Sequence, residues 1–211
     1  MSQTVFGQTS WDSSPSSGSR DDFLNLNRDG QYTLRILSEP FSYSVHWVEN
    51  AGKEVRKVNC AGRGCLLCKE AAAGVVGSAK AQVRYLLEVL NRDTGKCQMV
   101  EFGPQVFSGI KKLVSNKHWG DPKTYDIVID RNKANSPNVY AVMPVGKTEL
   151  TLEDRAAIKE FMERMDLSVF TQPSTNEQIL KKLGREEGAA STEGASASAG
   201  AKPATASAFD F

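Results

Sequence analysis

The sequence predicts a mainly β domain followed by short helices, on three observations. Strand-length runs with apolar residues at alternate positions recur between residues 31 and 145. One helix-length amphipathic run interrupts them, and beyond residue 150 the apolar period shifts from that of a strand to that of a helix.

The first run, residues 31–37, alternates through Tyr32, Leu34 and Ile36, with Asp29 and Gly30 forming a turn just ahead of it. Pro40 bends the chain, and the pattern resumes over residues 41–48 before a turn at 49–53. An Ala-rich stretch at 69–79 predicts a short helix, weakened by Gly74 and Gly77. Residues 82–90 form the strongest strand, with Val83, Tyr85, Leu87 and Val89 on one face. A hairpin loop at 91–95 returns the chain along residues 96–102.

Pro104 marks a helix start, where its missing N–H costs nothing. Val106, Phe107, Ile110, Leu113 and Val114 make the apolar face of that helix, with Lys111 and Lys112 opposite. Strands follow at 124–130 and 139–145. If residues 31–48 are one long bent strand, the order matches an OB-type Greek-key barrel, five strands with a helix between the third and fourth. Thr151 with Asp154, and Thr175 with Gln178, are capping pairs that open two further helices. Their apolar stripes are Ile158, Phe161, Met162 and Met165, then Ile179, Leu180 and Leu183, with Gly184 as the stop.

The expected organisation is a flexible N-terminal arm at 1–20, a barrel at 21–147 with an insertion at 46–80, a helical extension at 148–184 and a disordered tail at 185–211. The arm is Ser-rich, and the tail is Ala, Ser, Gly and Thr, compositions that cannot bury enough apolar surface to fold. Of the 211 residues 24% are charged, with a formal net charge of +1. From Arg185 onward two bases (Arg185, Lys202) face four acids (Glu186, Glu187, Glu193, Asp210), so the tail carries −2 and the remainder +3. That balance permits a basic groove without requiring one. No run approaches the roughly 20 apolar residues of a membrane span, and no secretory signal is visible, which reads as a cytoplasmic protein without a membrane partner.

Cys60, Cys65 and Cys68 cluster within nine residues, with His46 upstream. Two thiolates separated by two residues can hold one ion from a tight turn, and Gly62 and Gly64 let the backbone bend between Cys60 and Cys65. Three cysteines and a histidine are the ligand types of a closed, tetrahedral, structural zinc site. Ordinary buried cysteines and a Cys65–Cys68 redox pair are the alternatives; the second lacks the βαβ setting of such pairs. For the fourth ligand His46 competes with Cys97, which alternates with Met99 in a strand, and with His118 beside Trp119. His46 is favoured because a strand leading into the knuckle presents it directly.

The Leu-Asn-Arg-Asp-Gly-Gln-Tyr-Thr-Leu-Arg-Ile-Leu run at residues 26–37, then His46, Cys60, Cys65 and Cys68, then Arg84-Tyr85 and the strand-to-helix step at 102–114, carry a resemblance. Over residues 23–145 the chain resembles the zinc-containing single-stranded DNA-binding proteins of bacteriophages, typified by the helix-destabilising protein of T-even phages. The resemblance implies an OB-fold core, one structural zinc in an inserted subdomain, and a detachable C-terminal tail that contacts replication partners. The chain departs from that type in two respects: residues 1–18 contain no base, so cooperativity by a basic N-terminal segment is not implied, and the tail is only weakly acidic.

Single strands are bound by stacking bases on aromatic side chains and tracking the backbone with cations. The candidate cations are Arg35, Arg56, Lys57, Arg84, Lys111, Lys112, Arg131 and Lys133; the candidate aromatics are Tyr43, Trp47, Trp119 and Tyr140. Any one of these aromatics is as readily a core residue, and any one cation a solvated charge, so only the set carries weight. Tyr43 and Trp47 share one strand face and His46 the other, while Arg84 faces away from Tyr85, which is expected to pack. Phe209, Asp210 and Phe211 suit capture by a partner pocket with an apolar floor and a basic rim, the partners being replication or recombination proteins. The competing reading is a zinc-knuckle protein-interaction or polymerase accessory module. No phosphate-cradling loop and no nucleophile beside a base supports an enzyme.

Overall fold

The strand expected at 82–90 is the hub of the fold. The computed structural model describes residues 20–49, 54–75 and 80–185. Its strands are β1 (Phe23–Leu24), β2 (Gly30–Ile36), β3 (Phe41–Glu49), β4 (Val55–Asn59), β5 (Gln82–Asn91), β6 (Lys96–Phe102), β7 (Asp126–Arg131) and β8 (Tyr140–Gly146). Its helices are α1 (Leu66–Ala72), α2 (Pro104–Val114), α3 (Leu152–Arg164), α4 (Leu167–Thr171) and α5 (Asn176–Leu183). The arm at 1–19 and the tail beyond Arg185, with Phe209, Asp210 and Phe211, lie outside the described residues.

All strands join one eight-stranded mixed sheet in the order β1-β6-β5-β2-β7-β8, with β3 attached to β5 and β4 to β3. β2 and β3 run along the same edge of β5: Leu34, Arg35 and Ile36 oppose Asn91, Leu90 and Val89, while Phe41 to Val45 oppose Leu86 to Gln82. The single bent strand expected over 31–48 is thus two strands, and the four residues that link them (Leu37 to Pro40) face two of β5 (Leu87 and Glu88), the surplus making the bend. The backbone stays satisfied there. Leu37 N donates to Glu88 O at 3.0 Å, and Glu88 N donates to the Ser38 hydroxyl at 3.2 Å.

The sheet does not close into a five-stranded barrel. Among the described residues β8 makes no pairing with β6. The reason is occupancy: β1 pairs in parallel with the outer edge of β6, Phe23 against Met99 and Leu24 against Val100. α2 lies over the opening and packs on β8, β5 and β6. The helix comes so close to β8 that a Cβ on Gly109 would stand 2.6 Å from Val142 Cγ2 and 2.8 Å from its Cβ.

Two apolar layers sandwich β5 and β6. Leu87, Val89, Val100 and Phe102 join Leu34, Ile36, Ile127, Ile129 and the Val106 and Ile110 face of α2 in the main core. Tyr85 stacks on Phe107 with ring centroids 3.9 Å apart, so it packs as expected. On the reverse face Leu86 and Met99 lie under Phe161 and Leu167 of α3 and α4, with Phe23 edge-on to Phe170. The second half of β5 is thus buried on both sides rather than one. Both capping boxes form, at Thr151 and Thr175, and Gly184 stops α5. Of the helix expected at 69–79, residues 76–79 lie outside the described residues, and the described helix spans Leu66–Ala72, starting inside the cysteine motif.

A buried ionic chain ties this sheet to α3. Arg35 Nε donates to Asp126 at 2.7 Å, Asp126 also accepts from Arg92, and Arg92 donates to Asp154 of the α3 capping box at 2.9 Å. Asp126→Ala would leave Arg35 charged and unpaired in the core, a class of change that costs about 3–5 kcal/mol; urea unfolding of the variant checks it. Gly109→Ala is expected to lower the melting temperature. Alanine gains about 1 kcal/mol of helix preference over glycine, but the clash with the β-branched Val142 outweighs that, overpacking costing roughly 1–3 kcal/mol. An unchanged or raised melting temperature would show that α2 can lift off β8 freely.

Candidate metal centre and nucleic-acid face

His46 projects from β3 on the face it shares with Val58 of β4, its cross-strand partner, and is fully buried. Cys60 follows β4 and is anchored by its own N–H to Ser44 O at 2.8 Å. Cys65 caps the N-terminus of α1, and Cys68 lies in its first turn. Between Cys60 and Cys65 the chain turns through Gly62 and Gly64 at φ +73° and +87°, where a side chain would be strained. The four donor atoms lie within 4.8 Å of one another and could hold one metal ion.

The separations test the fit. Cys60 Sγ and Cys68 Sγ are 3.6 Å apart, and His46 Nε2 is 3.6 Å from Cys65 Sγ and 3.5 Å from Cys68 Sγ. A tetrahedron built with Zn–S of about 2.3 Å and Zn–N of about 2.0–2.1 Å has S···S edges near ~3.8 Å and S···N edges near ~3.5 Å. The donor set is therefore consistent with a structural zinc. Burial resists ionisation of Cys65, yet the backbone N–H groups around it and the Cys60 thiol hold it down to about 7. Cys68 is pushed up to about 12 by burial and by the neighbouring Cys60 and Cys65 sulfurs. Three touching sulfurs cannot all be thiolates without a cation among them. Cys97 packs beside Phe161 and Met165, and His118 is exposed on the surface; neither belongs to the cluster.

Helix α5 covers this centre, a partner that short-range sequence patterns do not identify. Ile179 and Leu183 of α5 are buried against Val48, Val58, Cys65 and Leu67. Asn176 accepts from Leu66 N at 2.9 Å and donates to Gly64 O, and Arg185 makes a paired contact with Glu70 at 2.9 and 3.0 Å. The only available signal was the Ile179/Leu183 spacing, a stripe with no stated partner.

The opposite face of the same hairpin carries four of the expected nucleic-acid residues. Trp47 stands opposite Lys57, and Tyr43 opposite Arg84, so the alternation of β3 puts all four on the face away from His46. Trp47 is 37% exposed. Glu101 of β6, which the sequence reading missed, joins them: it accepts from Tyr43 OH at 2.7 Å, from Arg84 Nε at 2.9 Å and from Lys57 Nζ. Burial would raise the Glu101 carboxyl, but the bond and charge of Lys57, with Tyr43 and Arg84, hold it below its ordinary value. Tyr43 is raised by burial and by the bond to Glu101. Lys57 also lies 5.7 Å from the Tyr43 ring centroid.

The other expected contacts do not gather on this face. Arg35 is a correction: at 3% exposure and bonded to Asp126 and Thr148 O, it is a core residue, unavailable to a ligand. Trp119 tilts against Tyr125 at 5.1 Å and is packed against the main core. Tyr140 donates to Leu26 O at 3.2 Å with Arg131 over its ring, and Arg131 is paired with Asp29. Lys133 is exposed nearby, its backbone N–H donating to Asp29 at 3.3 Å. Arg56 pairs with Glu54 and stands opposite Val48, on the metal side of the hairpin. Lys111 and Lys112 are exposed on α2, whose other side packs on the main core. No helix among the described residues is long and apolar enough to cross a membrane.

Stripping the metal is expected to release α5, because the two share one small core. In protein loaded with one equivalent of Zn2+, trypsin cleavage after Lys181 and Lys182 should be slow, and a chelator or Cys65→Ser should speed it severalfold. Equal rates with and without chelator would show that α5 docks independently of the metal.

No family model matches the chain and no curated protein does, so the chemistry of the site rests on its own residues.

Proposed function

We propose that this protein binds single-stranded DNA with little sequence preference, on the sheet face of Tyr43, Trp47, Lys57 and Arg84. The observation that carries the proposal is their convergence: an exposed indole and two part-exposed cations from three adjacent strands on one surface, beside a phenol that is half-buried against the Leu86 and Phe161 cluster. A flat ring gives every base a stacking partner, and cations beside it meet the phosphates between bases, the two ingredients of sequence-tolerant binding. The connectivity favours an OB-type module, with a bent first strand shared between two halves and α2 between β6 and β7, although the sheet stays open.

The metal in this proposal is zinc with a structural role. When bound by His46, Cys60, Cys65 and Cys68 it has no open coordination position, and so supplies rigidity rather than catalysis. Rigidity matters here because β3 carries His46 on one face and Trp47 on the other. The chain then acts as a binding protein and not as an enzyme, coating single strands during replication or recombination, with Phe209, Asp210 and Phe211 as the hook for protein partners.

Titration with oligo-dT, oligo-U and duplex DNA across salt concentrations tests the proposal. Single strands should bind more tightly than duplex, and affinity should fall steeply with salt. Trp47→Ala is expected to weaken binding by about 1–3 kcal/mol, the worth of one stacked base. Equal affinity for duplex and single strand would overturn the proposal; no nucleic-acid binding at all would favour a protein-docking zinc module instead.

A further inference from the structure

Taking the single-strand reading as its basis, we infer that Glu101 sets the affinity and salt dependence of that face: its carboxylate is a resident competitor for the phosphates that Lys57 and Arg84 would otherwise neutralise. Glu101 lies on β6 opposite Leu86, one strand beyond Arg84, and reaches Tyr43 of β3, Lys57 of β4 and Arg84 of β5. One side chain thus ties four strands of the proposed binding face.

The charge count is what gives this residue a role beyond packing. Two cations converge on one carboxylate, so the cluster presents +1 to an incoming strand rather than +2. The carboxylate side chain is only 17% exposed, whereas Lys57 and Arg84 are 34% and 25% exposed. Both cations therefore keep some contact with solvent, and Lys57 does so directly across from Trp47. Arg84 engages Glu101 through Nε, and its Nη1 lies beside Gly103, where an added Cβ would come within 3.0 Å. The remaining guanidinium donors suit a phosphate oxygen.

A phosphate cannot take either cation at full strength. Turning Lys57 or Arg84 away from Glu101 leaves a half-sheltered carboxylate with fewer donors, and water cannot fully replace them. If both cations stay, the phosphate sits near a negative charge. Either route attenuates binding, which keeps the strand exchangeable.

The test compares the unmodified chain with Glu101→Gln and Glu101→Ala in oligo-dT titrations from about 50 to 200 mM salt. Glutamine keeps the shape and one acceptor oxygen, for Arg84, while its NH2 can donate to the Tyr43 hydroxyl and the charge is removed. Releasing one phosphate-neutralising charge should steepen the slope of log K against log salt by about 0.7. It should tighten binding roughly eightfold at about 50 mM and roughly threefold at about 200 mM. Glu163→Gln, which removes the same charge from the Lys159 pair on α3, should change neither quantity. Unchanged or weaker binding by a folded Glu101→Gln, with an unchanged slope, would overturn the inference and make the carboxylate a positioning group for the two cations. Unfolding of both variants would likewise overturn it, by marking Glu101 as structural. Failure of the unmodified chain to bind oligo-dT would sink the single-strand reading itself, an outcome visible before any variant is compared.

Discussion

Four residues, Leu37 to Pro40, occupy the space of two along β5, and the placement of both candidate sites depends on that bend. Before it, β2 lies between β5 and β7 and contributes to the main core. After it, β3 follows β5 only as far as Val45 and then leaves with β4 to build the metal hairpin. Side chains alternate along a strand, so a slip of one residue would exchange the two faces of β3. His46 would then leave the cysteines and Trp47 would turn into the knuckle. Leu37 N and the Ser38 hydroxyl hold the register by satisfying Glu88, the residue of β5 that faces the bend.

The hairpin beyond the bend is too small to hold itself. Val48, Val58 and Leu67 are its own fully buried apolar residues, and modules below about 40 residues usually need a metal, a disulfide or a partner to fold. Two features of this chain answer that need. The donor set supplies a site for an ion, and α5, more than 100 residues away in sequence, supplies Ile179 and Leu183. Asn176 fixes the helix to the knuckle by bonding both Leu66 N and Gly64 O, so the same turn that brings Cys65 to the site also receives α5. The C-terminal helices are thus part of the metal module on one side and cover the reverse face of β5 on the other.

What the sequence revealed follows from how local each signal is. Cys60, Cys65, Cys68 and His46 were legible because ligand chemistry depends on residue type and short spacing. Capping at Thr151 and Thr175 and the alternation of β5 and β6 were legible for the same reason. β1 has two residues and shows no period, yet it holds the edge of β6 and keeps the sheet open. β4 was lost because Arg56 and Lys57 sit between its two apolar residues, Val55 and Val58, and it ends on Asn59. The double burial of β5 had a signal, since Leu86-Leu87 and Val89-Leu90 break a strict alternation. The cation list failed differently: residue type alone does not separate Arg35, which is buried, from Arg84, which is not. Glu101 carries no local signal, because its partners come from three other strands that only the fold brings beside it.

The structure uses one device in two places, and exposure decides its consequence. Asp126 draws in Arg35 and Arg92, as Glu101 draws in Lys57 and Arg84; each is one carboxylate between two cations. At Asp126 the three side chains are 7%, 3% and 19% exposed, and every charge is directed inward. Desolvation makes such a cluster costly to break and closed to ligands, so it fixes β2, β7 and α3 relative to one another. At Glu101 the cations keep a solvent side, the field of the surplus positive charge reaches outward, and salt can screen it. Asp154, paired with Arg92, brings the buried chain to zero and makes it a structural tie in the core, whereas the Glu101 cluster keeps its surplus positive charge at the surface beside Trp47.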